Sequence, residues 1–99
     1  LANTGIADKD LAAIAEFTNL RRLRIENNPI TDQGLASLQS LIKLEVLNLN
    51  GTPITAAGLS NLRTLKNLQS LYLWNTGISS TDPALNQWEA GKVKVVGDR

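Results

Sequence analysis

Ninety-nine residues carrying ten basic and nine acidic side chains, a net charge of +1, suffice for one compact domain and lack the charge excess of a nucleic-acid or polybasic membrane surface. Seventeen leucines and ten asparagines stand beside no histidine, cysteine or methionine, which excludes a cysteine- or histidine-ligated metal site, a disulfide frame, a cysteine nucleophile and a Ser-His-Asp triad. No apolar run approaches the roughly 18 residues of a membrane span, and no signal peptide is recognisable.

The chain opens with Leu1-Ala2-Asn3-Thr4-Gly5-Ile6, which returns as Leu73-Trp74-Asn75-Thr76-Gly77-Ile78. In that register Leu1 occupies the position of Ile25 and Leu49, inside a strand. A chain that starts there, and not on methionine, is expected to be a piece of a longer protein, or to have its first edge covered by a partner or another copy. Asp8 then stands where a helix N-cap is wanted, and Asp10 beside it favours a helix N-terminus. Residues 1–19 form a partial first coil.

Residues 20–43 laid over 44–67 give nine identities in 24 positions. Leucines match at 20/44, 23/47, 35/59, 38/62 and 41/65. Pro29/Pro53, Ile30/Ile54, Thr31/Thr55 and Gly34/Gly58 complete the set. Each unit begins with period-two alternation, as in Arg22-Leu23-Arg24-Ile25, and so predicts a short strand with one buried face. A strand of three to five residues is stable only when stacked copies build a parallel sheet. Leu35, Leu38 and Leu41 recur every third residue and predict a helix or 3₁₀ segment on the outer side. Thr31-Asp32 and Thr55 are candidate caps for it. Asn28, Thr52 and Thr76, with Thr4 before them, fall where the chain leaves the strand, so their side chains are expected to bond buried loop backbone as scaffold.

The frame runs on through Leu68, Leu71, Leu73, Thr76 and Ile78 and fades after about Asp82. Asp82-Pro83 offers a capping residue followed by proline at the first helical position. Trp88 is read as the plug of the last coil, with a binding role as the alternative. Lys92-Val93-Lys94-Val95-Val96 predicts a final strand with Val93 and Val95 inward and both lysines outward. Residues 68–99 are thus a last repeat with a C-terminal cap.

The unit L-x-x-L-x-[LI]-x-x-[NT]-x-I-T-x-x-G-L-x-x-L-x-x-L resembles the leucine-rich repeat family, whose signature Leu20-Arg-Arg-Leu23-Arg-Ile25-Glu-Asn-Asn28 carries complete. The Thr variant with its Ile-Thr turn looks like repeats common in bacterial proteins. The resemblance implies an α/β solenoid spanning residues 1–99, with a short parallel sheet on the concave side and helices on the convex side. It also implies that the variable concave positions are the binding surface. Those positions form three rows: Arg22, Val46 and Ser70; Arg24, Asn48 and Tyr72; Ala2, Glu26, Asn50 and Trp74.

Tyr72 and Trp74 are two residues apart on one strand and share the face opposite Leu71 and Leu73. With Asn48 and Asn50 beside them they are the leading site candidate, suited to a protein hot spot or to stacking on a sugar ring. The alternative is that Trp74 folds over the strand end and shields Leu73 and Ile78. Arg21, Arg22 and Arg24 form the one basic cluster, and an exposed Arg24–Glu26 pair is expected to be worth little. The nine acids are dispersed, with no paired carboxylates for acid–base catalysis and too few donors for a calcium loop. Asn50-Gly51-Thr52 matches a glycosylation sequon but reads as turn chemistry.

These features point to a non-catalytic protein- or peptide-recognition module without a cofactor, binding through Arg22, Arg24, Glu26, Asn48, Asn50, Tyr72 and Trp74. Glycan binding at Tyr72 and Trp74 is one alternative. Another is a spacer or docking domain of a larger bacterial envelope protein, with no ligand of its own. No nucleic-acid partner and no membrane insertion are expected. Edge-to-edge self-association through the open N-terminal coil is a further expectation. The resemblance alone tilts the setting toward an extracytoplasmic one.

Overall fold

Period-two alternation delivers four short strands: β1 (Arg22–Arg24), β2 (Val46–Asn48), β3 (Ser70–Leu73) and β4 (Lys94–Gly97). They form one parallel sheet in chain order in a computed structural model that describes residues 4–76, 78–79, 82–88 and 93–97. Leu23, Leu47, Leu71 and Val95 lie directly opposite one another, each a repeat apart. Parallel neighbours require a crossover. Helix α1 (Asp8–Ile14) precedes β1, and helix α2 (Asp32–Ser37) with the 3₁₀ turn Leu38–Ser40 crosses from β1 to β2. The 3₁₀ segments Ala56–Leu62 and Pro83–Gln87 make the next two crossings. The architecture is therefore an α/β solenoid, a parallel sheet on one side and helical crossings on the other, as the resemblance implies.

The core is a column of leucine and isoleucine. Leu35, Leu38, Leu41, Leu44, Leu47 and Leu49 have no exposure, and neither do Leu59, Leu62, Leu71 and Leu73. Each such side chain contributes roughly 1.5–3 kcal/mol by burial. Every-third spacing suits the three-residue turn, and the β2–β3 crossing is wholly 3₁₀.

The chain leaves β1, β2 and β3 through the same left-handed residue. Asn27 (φ 58°), Gly51 (φ 71°) and Asn75 (φ 59°) occupy equivalent positions, and asparagine and glycine are the residues that tolerate it. At Gly51 a second constraint applies, because a Cβ there would lie 2.1 Å from Asn27 Oδ1. The backbone ladder runs on past the strands into this turn: Asn27 N–H donates to Asn50 O at 2.8 Å and Gly51 N–H to Trp74 O at 2.8 Å.

Asn28, Thr52 and Thr76 are buried scaffold. Asn28 Nδ2 donates to Ile25 O and Glu26 O, while its Oδ1 accepts from the Thr4 and Ile6 N–H groups of the preceding coil. Thr52 Oγ1 donates to Leu49 O at 2.7 Å, and Thr76 Oγ1 to Leu73 O at 2.6 Å. The amide spans two coils where these hydroxyl donors stay within one.

The expected caps act differently from a local cap. Thr31 and Thr55 occupy the N-cap positions without a side-chain capping bond, and Asp8 is the first residue of α1. Asp8 instead accepts both the Thr31 N–H (2.7 Å) and the Thr31 hydroxyl. Asp32 does the same for Thr55, with the N–H at 2.8 Å. A carboxylate of one coil thus holds the helix entrance of the next. Gly34 and Gly58 leave it room, since a Cβ on either would fall within 2.3 Å of an Asp8 or Asp32 oxygen.

At the C-terminal end Asp82 caps its own segment, accepting from Ala84 N–H at 2.9 Å, with Pro83 at the first position. Leu85, Trp88 and Val95 pack against the core, and Gln87 Nε2 donates to Leu59 O at 2.9 Å. Val93 is buried and Lys94 exposed, whereas Lys92 lies outside the described residues. At the other end Ile14, Phe17 and Leu20 take the register positions of the buried Leu38, Leu41 and Leu44, yet Phe17 is 65% exposed. Leu1, Ala2 and Asn3 also lie outside the described residues.

Candidate functional site

Alternation along the strands turns Leu23, Leu47 and Leu71 into the core and their neighbours onto the open face of the sheet. The register aligns Arg22, Val46, Ser70 and Lys94 in one row and Arg24, Asn48, Tyr72 and Val96 in the next. Glu26, Asn50 and Trp74 follow at the strand ends. Ala2, the remaining member of that third row, is outside the described residues.

Four of these side chains are joined in a polar chain that crosses three coils. Arg24 Nη2 donates to Glu26 Oε2 at 2.9 Å, and Asn48 Nδ2 donates to the same oxygen at 3.1 Å. Asn48 Oδ1 accepts the Asn50 N–H at 3.0 Å, and Asn50 Oδ1 accepts the Trp74 N–H at 2.7 Å. Asn48 therefore ties its coil to the one before, and Asn50 ties that coil to the one after.

Glu26 departs from the expectation of an exposed, weak ion pair. Its residue is only 9% exposed, whereas the Arg24 side chain is 70% exposed. Burial pushes the Glu26 carboxyl pKa upward; the Arg24 hydrogen bond, its own backbone N–H and the Arg24 charge together outweigh this and hold it below the usual carboxylate value. Oε1 is buried and has no hydrogen-bond partner among the described residues. Arg21 is separate from this arrangement, pairing with Glu45 at 3.0 Å, so the three arginines do not converge on one anion.

The sequence-predicted residues consequently divide in two. Glu26 through Oε2, and Asn48 and Asn50 through Oδ1, accept the sheet's own hydrogen bonds. Arg22, Arg24, Tyr72 and Trp74 retain surface for contact. Trp74 is 55% exposed, so it does not fold down as a shield over Leu73 and Ile78. A shallow depression on this face is lined by Arg22, Arg24, Val46, Asn48 and Tyr72. Asn50-Gly51-Thr52 serves the turn, with Thr52 buried against Leu49 O.

The Asp8–Thr31 and Asp32–Thr55 clamps escape a reading based on local capping. Their signal is the recurrence of Asp at 8 and 32, each followed at fixed spacing by Thr and Gly in the next unit. Among the described residues no cluster of three or more acidic side chains is placed to hold a metal ion, and no helix is long and apolar enough to cross a membrane.

Residues 18–63 match the family model of Leucine Rich repeats (2 copies). No curated protein matches the chain.

Proposed function

We propose that this chain recognises a protein or peptide through the open face of its sheet, since residues 18–63 match leucine-rich repeats, which are generally protein-interaction modules and typically non-enzymatic. The observation carrying this reading is the exposed Trp74 beside Tyr72, fixed to the neighbouring coil by its backbone rather than by its ring. That backbone bond fixes the point from which the indole projects, so that binding has only its side-chain rotamers to order. A pull-down from native extract, comparing the chain with its Tyr72→Ala/Trp74→Ala variant, tests it. A partner retained only by the unaltered chain supports the reading, and equal retention by both sinks it.

A docking role is favoured by a different observation, the largely apolar depression formed by Ile14, Phe17, Leu20 and Leu23 and edged by Arg22 and Arg24. In the two following coils the equivalent positions are buried. In this reading the stack is a spacer whose end meets another part of a larger assembly. Phe17→Ser then weakens that assembly and Tyr72→Ala/Trp74→Ala does not.

A further inference from the structure

The open face is asymmetric in its hydrogen-bonding character. Its carboxylate and amide acceptors are turned inward: Glu26 Oε2 takes Arg24 and Asn48, Asn48 Oδ1 takes the Asn50 N–H, and Asn50 Oδ1 takes the Trp74 N–H. What faces outward is chiefly donors and cations. Arg22 and Lys94 are exposed and have no ion-pair partner among the described residues, and Arg24 keeps donors beyond the one given to Glu26. Of the acids in the described residues only Glu26 belongs to the three rows, and it is buried and neutralised.

From this charge complementarity we propose, resting on the open-face reading above, that the ligand is an extended acidic peptide with an apolar residue between its carboxylates. Arg22 and Lys94 stand at opposite ends of one row, three strand spacings or about 14 Å apart. An extended chain advances about 3.3 Å per residue, so acidic side chains roughly four residues apart reach both cations. The apolar residue between them lies over the ring of Tyr72 in the adjoining row. A basic or neutral peptide meets unpaired like charge or leaves buried donors without acceptors. A second copy of this same face is disfavoured for the same reason.

The test is selection from a phage-displayed library of random linear peptides. It is run on the chain, on Arg22→Glu/Lys94→Glu and on Tyr72→Ala/Trp74→Ala, each first shown to fold by circular dichroism. The unaltered chain is expected to enrich Asp- and Glu-containing peptides. Their binding falls by about tenfold or more on Arg22→Glu/Lys94→Glu and weakens with added salt. That charge-reversed variant is expected to enrich Lys and Arg instead. A pool without acidic bias that still requires Tyr72 and Trp74 overturns the acidic-peptide inference and leaves the open-face reading standing. A pool indifferent to both variants, or no enrichment at all, overturns both.

Discussion

The Asp32 carboxylate accepts the backbone N–H of Thr55 at 2.8 Å across 23 residues of sequence, and Gly58 supplies the space it occupies. Asp8, Thr31 and Gly34 repeat the arrangement one coil earlier. The clamp fixes where α2 and the Ala56–Leu62 segment start, which a sheet register alone leaves free to slide.

Asp32→Ala is expected to destabilise the chain by about 1–2 kcal/mol, the range for a charge-assisted hydrogen bond at a partly exposed site. Gly58→Ala is expected to cost at least as much, because its Cβ would sit 2.2 Å from Asp32 Oδ1. The double variant should be less destabilised than the sum of the two, since removing the carboxylate relieves the closest clash. A urea-denaturation double-mutant cycle measures this coupling, and strict additivity would refute the clamp.

Asn28→Ala removes an amide that bonds Ile25 O, Glu26 O and the N–H groups of Thr4 and Ile6. A loss of about 2–4 kcal/mol is expected from unmet buried backbone groups. Thr52→Val, which frees only the Leu49 carbonyl, should cost about 1–2 kcal/mol. Chemical denaturation of the two variants checks the order.

Glu26 has a carboxyl pKa lowered in the folded chain, where Arg24 and its own N–H outweigh burial. A lowered folded value means that Glu26 contributes stability above the ordinary carboxylate pKa. That stability is lost as pH falls through the lowered value. Glu26→Gln is expected to flatten the acid limb of the stability profile between those limits. An unchanged profile in pH-dependent thermal melts would contradict the assignment.

Leu41 and Phe17 occupy one register position, yet Leu41 has no exposure and Phe17 is 65% exposed. Leu41→Ala is expected to cost about 2–5 kcal/mol, as for other buried leucines. Phe17→Ala should cost less than about 1 kcal/mol in the isolated chain. Thermal melts of both variants discriminate.

Trp74 and Trp88 differ in exposure, the first open and the second packed on the core. Acrylamide is expected to quench the emission of Trp88→Phe, which retains Trp74, more strongly than that of Trp74→Phe. The reverse order would contradict an exposed Trp74.

Most of the fold was legible because one signal, apolar residues at period two and then period three, recurs at fixed spacing. The leucines of each strand and crossing, the parallel sheet and the buried Asn28, Thr52 and Thr76 all follow from it. The site was only partly legible. Alternation places Arg22, Arg24, Asn48, Tyr72 and Trp74 on one face, but it says nothing of how far a side chain lies down on its neighbours. Glu26 illustrates this, looking like half of a surface ion pair until Asn48 from the next coil closes over it. The Asp–Thr clamps escaped for a similar reason, since local rules seek a cap within the same helix whereas the partner lies a full unit away.

The last coil keeps step with the others although its leucines are nearly gone: Pro83 stands at the place of Leu59 and Val95 at that of Leu71. What that coil preserves is chain length rather than residue type. Substitutions there are therefore far safer than insertions or deletions. A change of length that slipped β4 by one residue against β3 would turn Val95 out to solvent and Lys94 or Val96 into the column beneath Leu71.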